Sequence, residues 1–220
     1  MSDATFAMPS PMPNPLAILK PEPIERLYTL EEFLKKEAKS IYKHEFYNGK
    51  IIPMSRAKAP HNAISGNVIT ALNNAIDKAN KNYVVLASDQ LVYFPKFNFG
   101  VYPNALVVCE HLEFYDKNQV MLTNPILLVE VLSKSTRKFD QNGKFDLYKT
   151  LPSFREYVLV EQNGVSVETR FRVEPNLWRE QTETNQAAMV RLDSLGLEIA
   201  VRDIYKRVPG MAGYTIPPAT

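Results

Sequence analysis

A glutamate inside the apolar run ILLVEVLS is the first sign of chemistry in this chain of 220 residues. Burying the carboxylate of Glu130 costs free energy unless the group is paired, protonated or bound to a cation. A second polar residue, Asn104, directly precedes the apolar run ALVVC. One strand, a connection and a second strand separate the two residues, so adjacent strands could bring their side chains together. The spacing therefore indicates a candidate site at the ends of two central strands.

Each of these polar residues also has a simpler explanation. Glu130 could face solvent near a strand end, or be held by a structural arginine. Asn104 follows a proline, so it is either a turn residue or a position that has lost a charge. His61, at the start of a predicted helix, is a candidate for lining a site, whereas His44 and His111 are expected to be surface or capping residues.

The elements before Asn104 have clear local signals. Thr29 and Glu32 have capping-box spacing, which predicts that a helix begins there. The pair Asn48-Gly49 between two short apolar runs predicts a β-hairpin. A long amphipathic helix follows, because apolar residues recur four apart on one face. These residues are Ile64, Val68, Leu72 and Ile76.

The remaining pattern favours a sheet with helices on its faces. The β-branched and aromatic run over 83–94 predicts a strand with a polar break at Ser88-Asp89. The apolar runs over 105–109 and 126–132, the second interrupted only by Glu130, are typical of strands covered on both faces. A helix is predicted over 142–151, followed by a β meander. The fold class is therefore α/β (α+β), with a central mixed β-sheet flanked by helices.

Composition limits the class of protein. The balance of 26 basic and 24 acidic residues, a net charge of +2, neither predicts nor excludes a nucleic-acid partner. No stretch approaches the roughly 20 apolar residues that cross a bilayer. A single cysteine, Cys109, is compatible with a reducing cytoplasm. We expect a disordered proline-rich arm over 1–26, a single domain over 27–208 and a loose tail over 209–220.

Seven stretches together resemble the Uma-two restriction-endonuclease family of the PD-(D/E)XK nuclease superfamily. The block containing NPILLVEVLS, KFDLY and PSFREYVLV is the specific part of the resemblance, which spans roughly residues 28 to 205. The resemblance implies a restriction-endonuclease-like core that cleaves DNA phosphodiester bonds with Mg²⁺ or Mn²⁺. The other matching stretches are YTLEEFLKKE, HEFYNGKIIPM, HNAISGNVITAL, ASDQLVYF, YPNALVVC and SLGLEI.

The resemblance also implies roles for individual residues. Glu130 corresponds to a metal ligand and catalytic residue. In the superfamily pattern the lysine would fall at position 132, which is Leu132 in this chain. Members of this family supply the lysine from the following helix instead, and Lys144 matches that place. If the resemblance is set aside, Lys144 is simply an exposed lysine on a helix. Glu45 matches a family glutamate near the metal, and Asp89 matches a further position where a carboxylate could bind the metal.

The chain departs from the family pattern at position 104, where the pattern has aspartate and this chain has Asn104. An amide oxygen can still coordinate a hard cation, but it lacks the negative charge of a carboxylate. Losing one charge-assisted contact costs about 1.5–3 kcal/mol, or about 10- to 100-fold in binding. The expectation is a metal-dependent endonuclease with weakened or lost activity; the alternative is a non-catalytic DNA-binding or regulatory homologue.

Partners follow from the same resemblance. The basic residues after Glu130 suit contacts to DNA phosphates, and those chosen as DNA-binding candidates are Lys134, Arg137 and Lys138. A solvated helix face is the other explanation for these charges. A homodimer is expected because each copy could address one strand of a duplex.

Overall fold

The computed structural model describes residues 26–211. The predicted N-terminal arm up to residue 25 and the tail from residue 212 lie outside the described residues. Four α-helices and one π-helical segment are present in the described part. In chain order they are α1 (Leu30–Glu37), α2 (Ala59–Lys78), the π-helical segment (Phe139–Lys144), α3 (Phe145–Tyr148) and α4 (Val201–Ile204).

Within residues 26–211, thirteen strands form three sheets. The strands are β1 (His44–Tyr47), β2 (Lys50–Pro53), β3 (Tyr83–Ala87), β4 (Leu91–Phe94), β5 (Phe99–Val101), β6 (Ala105–Cys109), β7 (Met121–Leu122), β8 (Leu127–Leu132), β9 (Glu156–Glu161), β10 (Val167–Glu174), β11 (Leu177–Glu183), β12 (Met189–Leu192) and β13 (Leu197–Ala200).

The sheets are mixed, as the fold class predicted. The larger sheet has the order β11-β10-β9-β8-β6-β3, and the five-stranded sheet has the order β2-β1-β5-β4-β7. Pairing is antiparallel except between β8 and β9 and between β4 and β7. The short β12–β13 hairpin forms the third sheet. No helix among the described residues is long and apolar enough to cross a membrane.

Strand β8 is buried on both faces and divides the core into two layers. Val129 and Val131 pack in a cluster with α2, β13 and α4. Leu128 and Leu132 pack in a second cluster with the five-stranded sheet and α3. Side chains alternate along a strand, so Glu130 shares the face of Leu128 and Leu132. It therefore points between the two sheets, into the interior of the molecule.

Several local predictions are confirmed. The Thr29–Glu32 capping box begins α1, and Tyr47 pairs with Lys50 across the Asn48-Gly49 turn. The four apolar residues predicted for the inner face of α2 are all buried.

Two predicted elements were wrong in detail. Residues 83–94 form two strands in different sheets, because the turn at Ser88-Asp89 redirects the chain after Ala87. The helix predicted over 142–151 begins earlier, as the π-helical segment, and α3 ends at Tyr148. A β-carbon on Gly143 would lie 2.5 Å from the Phe139 ring, so this segment requires glycine there.

Candidate active site

Glu130 lies at the centre of a buried group of charged residues. Its residue exposure is 3%, which excludes the solvent-facing explanation. Its partner is a lysine and not a structural arginine, since Lys144 Nζ lies 3.0 Å from Glu130 Oε1. Lys144 is itself only 6% exposed, so it is not a surface helix lysine. Strand β8 and the π-helical segment thus bring these two predicted residues together.

Lys144 contacts two further carboxylates. Its Nζ atom lies 3.2 Å from Glu45 Oε1 and 3.4 Å from Asp140 Oδ1. Glu45 comes from β1 in the five-stranded sheet, and Asp140 lies one turn before Lys144 in the π-helical segment. Three elements therefore supply one carboxylate each around a single ammonium group. We call Glu45, Glu130, Asp140 and Lys144 the carboxylate–lysine cluster.

Two buried tyrosines complete the cluster as hydrogen-bond donors. Tyr148 donates to Glu130 Oε1 at 2.7 Å, and Tyr47 donates to Glu45 Oε2. Burial, followed by the neighbouring glutamates, raises the pKa of both tyrosines well above the usual value. Both hydroxyls therefore stay protonated and available as donors near neutral pH.

The charges of the cluster do not balance when all of its members are ionised. Three carboxylates and one ammonium give a net charge of −2. Burial raises the pKa of Glu130 to about 7, against the opposing attraction of Lys144. Burial raises the pKa of Asp140 in the same way. Burial would lower the pKa of Lys144, but Glu130, Glu45 and Asp140 together raise it well above its usual range, so this residue stays charged.

Asn104 lies beside the cluster and is occupied by the main chain. Its Oδ1 accepts a hydrogen bond from Val131 N–H at 2.8 Å, and its own N–H donates to Val129 C=O. Nδ2 is therefore the atom that faces His61 Nε2, at 3.5 Å. Because an amide nitrogen only donates, this contact makes Nε2 the acceptor, while His61 Nδ1 is buried and has no hydrogen-bond partner among the described residues. Burial lowers the pKa of His61, which favours this neutral ring.

The carboxylate–lysine cluster has the negative charge that a divalent cation requires, but its side chains are not arranged around a space for one. Carboxylate oxygens are ligands that Mg²⁺ prefers, and buried Glu45 Oε1 forms no hydrogen bond of good geometry among the described residues, although the Lys144 ammonium lies 3.2 Å away. However, the Lys144 ammonium lies among the three carboxylates, and Asn104 Oδ1 is engaged by Val131. Within residues 26–211, no group of three or more His, Cys, Asp or Glu side chains could hold a metal ion. As arranged, the residues do not fit a resident divalent ion.

The other predicted site residues lie outside the cluster. The side chain of Asp89 is 92% exposed and pairs with Lys43 at 2.9 Å, so it is not among the partners of Lys144. Arg137 forms an ion pair with Glu161. Lys134 and Lys138 are exposed after β8, and neither forms an ion pair with the residues that the structure describes.

Asp140 and the two tyrosines were not predicted as site residues. Asp140 precedes Lys144 by four positions, and Tyr148 follows it by four, so all three lie on one side of a helix. That spacing was the available signal for Asp140 and Tyr148. Tyr47 is two residues from Glu45 on β1, so both side chains lie on the same face of the strand.

Comparison with solved structures defines the class of fold. The chain is similar to a protein from Anabaena variabilis ATCC 29413 described as "a putative nuclease belonging to DUF820". The TM-score is 0.61 at 19% identity, and the match covers 81% of this chain and 97% of that one. At this identity the likeness shows the fold, which is nuclease-like.

The family follows from the sequence comparison. The family model described as "Uma2: Putative restriction endonuclease" matches residues 30–202, and this chain belongs to that family. Two relatives from Synechocystis sp. (strain ATCC 27184 / PCC 6803 / Kazusa) support the assignment. "Uncharacterized protein sll1609" is 34% identical over 70% of this chain and 85% of its own length. "Uncharacterized protein slr1290" is 31% identical over 80% of this chain and 90% of its own length.

Proposed function

We propose that this chain is a relative of Mg²⁺- or Mn²⁺-dependent DNA endonucleases whose own cleavage is weakened or lost because Asn104 stands in place of a metal-binding aspartate. The observation that carries the proposal is the buried convergence of Glu130 and Glu45 on Lys144 beside Asn104. The family description and the nuclease-like fold support this class of chemistry. Families with restriction-endonuclease-like folds generally use divalent metals.

Each residue of the cluster has a role in this proposal. Glu130 and Glu45 supply the negative oxygens of the site. Lys144 carries a positive charge that would stabilise negative charge on a phosphate in the transition state. Asp140 is a positioning residue, since it contacts Lys144 from within the same helical segment. Asp89, which is exposed and paired with Lys43, is the weakest of the proposed metal ligands.

The weakening has a structural reason. Asn104 carries no charge, and its only side-chain oxygen already accepts one hydrogen bond, from Val131 N–H. An aspartate in the same position could accept from Val131 with one oxygen and present the second where Nδ2 now lies. The second oxygen would bring a negative charge to the side of the site that faces His61.

DNA is the proposed substrate. Lys134 and Lys138 follow β8 with exposed ammonium groups, which suits contacts to phosphates. Arg137 contributes less directly in this proposal, since Glu161 already pairs with it. A homodimer and a cytoplasmic location complete the proposal; the single Cys109 is compatible with a reducing compartment.

The test is nicking of supercoiled plasmid DNA in the presence of Mg²⁺ or Mn²⁺. We expect little cleavage by the wild type and a rate about 10²–10³ higher for Asn104→Asp, the usual effect of one strong electrostatic contributor. The double variant Asn104→Asp/Glu130→Gln is the control, and we expect it to be inactive. If Asn104→Asp neither cleaves DNA nor binds metal better than the wild type, the assignment of the site is wrong.

The second candidate is a DNA-binding or regulatory homologue that does not cleave. It is favoured by the engagement of Lys144 with three carboxylates, since this arrangement satisfies the lysine without a metal or a phosphate. Under this alternative, the wild type binds duplex DNA with an affinity that falls steeply with salt, and Asn104→Asp does not restore cleavage.

A further inference from the structure

Two large apolar side chains are exposed shortly before strand β1. Ile41 is 88% exposed, more than any other large apolar side chain among the described residues, and Tyr42 is 49% exposed. Arg56, which follows β2, holds its guanidinium 5.2 Å from the centre of the Tyr42 ring and donates to the Tyr42 hydroxyl at 3.0 Å. A single exposed apolar residue needs no explanation, but these three residues form one surface, which we call the 41–56 patch.

The 41–56 patch adjoins the carboxylate–lysine cluster. Tyr42 precedes Glu45 by three residues, so at most about 11 Å of main chain separates them. Strands β1 and β2 pair antiparallel, so the start of β1 lies beside the end of β2, from which the chain continues to Arg56. Helix α2 follows, and its His61 Nε2 lies 3.5 Å from Asn104 Nδ2. Both chain segments of the patch therefore lead directly into the candidate site.

Charge around the patch favours a polyanion as its occupant. Along the chain from the patch to α2, the only acidic residue is Glu45, which is buried in the cluster. Asp89, from another part of the chain, is paired with Lys43. Arg56 and Lys58 are exposed, and neither forms an ion pair with any residue in 26–211. An apolar surface beside unpaired cations fits DNA, which presents base faces and phosphates together.

We propose that the 41–56 patch contacts DNA at an unstacked base step, a role that rests on the proposed function because that function supplies the DNA. Ile41 acts as an apolar wedge between neighbouring bases, and the Tyr42 ring, held by Arg56, stacks on the base that is displaced. Lys58 contacts the phosphates beside this step. The preferred substrate is therefore DNA with bases that are already unpaired, because an intact duplex must first be unstacked.

The patch and the exposed lysines after β8 lie on two sides of one residue, Asn104. On one side, Lys58 precedes His61 by three residues, a rise of about 5 Å along a helix. On the other side, Val131 N–H donates to Asn104 Oδ1. Lys134 follows Val131 by three residues, or at most about 11 Å of main chain. DNA that contacts both basic segments would therefore pass over Asn104.

The first test measures binding of the full chain to two DNA duplexes in EDTA, where no metal-dependent cleavage occurs. One duplex is fully paired, and the other has the same ends and a short unpaired bubble. We expect the wild type to bind the bubble about 10-fold more tightly, an effect of the size of stacking one base. Ile41→Ser and Tyr42→Ala should each lose most of this preference, whereas Tyr42→Phe, which keeps the ring, should retain it.

Leu177→Ser is the matched control, because Leu177 is 53% exposed on β11, and we expect it to bind both duplexes like the wild type. Equal affinities of the wild type for the two duplexes would overturn the proposal. So would a preference that Ile41→Ser and Tyr42→Ala leave intact, whether residues 1–25, another protein or solvent covers the patch.

The second test separates stacking from charge by the dependence of bubble binding on salt. Tyr42→Ala should lower the affinity without changing the slope of log affinity against log salt, because stacking releases no counterions. Arg56→Gln should reduce the slope by about one. A slope that falls as much for Tyr42→Ala as for Arg56→Gln would contradict the stacking role of Tyr42.

Neither test requires metal or cleavage, so the two proposals can fail separately. Salt-dependent binding without a preference for the bubble would overturn the role of the patch and keep DNA as the proposed substrate. A preference for the bubble together with an inactive Asn104→Asp would overturn the nuclease assignment and keep the role of the patch.

Discussion

The polar groups on the two sides of Glu130 are held in different ways; we call the side with Lys144 the charged flank and the side with Asn104 the neutral flank. On one flank, Lys144 contacts three carboxylates, and two tyrosine hydroxyls donate to them. On the other flank, Asn104 is neutral, and its oxygen satisfies the Val131 N–H. An amide fills this second place without leaving a main-chain donor unpaired, so charge can be lost there while the fold is kept. On the side of Lys144, no single residue can be made neutral in this way, because each buried charge there has another buried charge as its partner.

The largest expected effect comes from removing the one cation of the carboxylate–lysine cluster. Lys144→Met leaves Glu45, Glu130 and Asp140 without the ammonium between them. Breaking a buried charged group in this way costs about 3–5 kcal/mol of unfolding free energy. Urea denaturation at neutral pH measures the loss. Lys149→Met, whose ammonium pairs with Asp146 at the surface, is the control and should change stability by about 1 kcal/mol or less.

The next effect is a pH dependence on the same flank. The pKa of Glu130 is raised from 4.5 to about 7 in the folded state. Between these pH values the folded chain holds more protons than the unfolded chain, so the unfolding free energy falls as pH rises. Glu130→Gln removes this titration. Relative to the variant, the wild type should lose stability on the order of a few kcal/mol between pH 4.5 and pH 7.

The pH dependence of the wild type must be compared with that of Glu130→Gln, because other groups nearby also titrate. The raised pKa of Asp140 contributes with the same sign as Glu130. The lowered pKa of His61 has the opposite sign, since a neutral folded imidazole gains relative stability as pH rises to its usual value of 6.5. A wild-type profile parallel to that of Glu130→Gln across this range would contradict the assigned protonation of Glu130.

The sequence predicts some residues of this site and not others. Glu130 was recognisable because a carboxylate within an apolar strand requires a partner, and Asn104 because it departs from a family pattern. Asp140 was missed although its four-residue spacing from Lys144 was a signal, because Asn142 and Gly143 weaken the helical pattern around it. The π-helical segment has no comparable sequence signal, yet it carries Asp140 and Lys144 to Glu130.

The same contrast applies to the fold. The capping box, the hairpin and α2 depend on neighbouring residues, and local sequence predicted them. The separation of 83–94 into β3 and β4 depends on which sheet each strand joins. That choice is made by distant residues, as in the pairing of β4 with β5 and β7, so the run itself carries no signal for it.

A smaller effect is expected on the neutral flank when the amide is removed. Asn104→Ala leaves Val131 N–H without its acceptor, which costs about 1–3 kcal/mol. Asn104→Asp keeps an oxygen in that position and is expected to retain most of the stability. Thermal unfolding of both variants distinguishes the two. Equal losses would mean that the Val131 hydrogen bond is not what Asn104 contributes to the fold.

The smallest effect concerns the exposed lysines after β8. Lys134→Ala and Lys138→Ala should weaken binding to duplex DNA similarly for all sequences. Each is expected to reduce the slope of log affinity against log salt by about one. Lys39→Ala, another exposed lysine far along the chain from β8, is the control and should leave the slope unchanged. An unchanged slope for all three variants would place the DNA contacts elsewhere.

The central proposal is that Asn104 takes the place of an aspartate whose charge the cluster would need in order to bind a metal ion. Calorimetric titration with Mn²⁺ tests this proposal most directly, on the wild type, Asn104→Asp and a control variant. The control is Asn74→Asp, which adds the same charge on the exposed side of α2. We predict about 10- to 100-fold tighter binding for Asn104→Asp, matching one charge-assisted contact of about 1.5–3 kcal/mol, and no change for Asn74→Asp. Equal affinities for the wild type and Asn104→Asp would contradict the account.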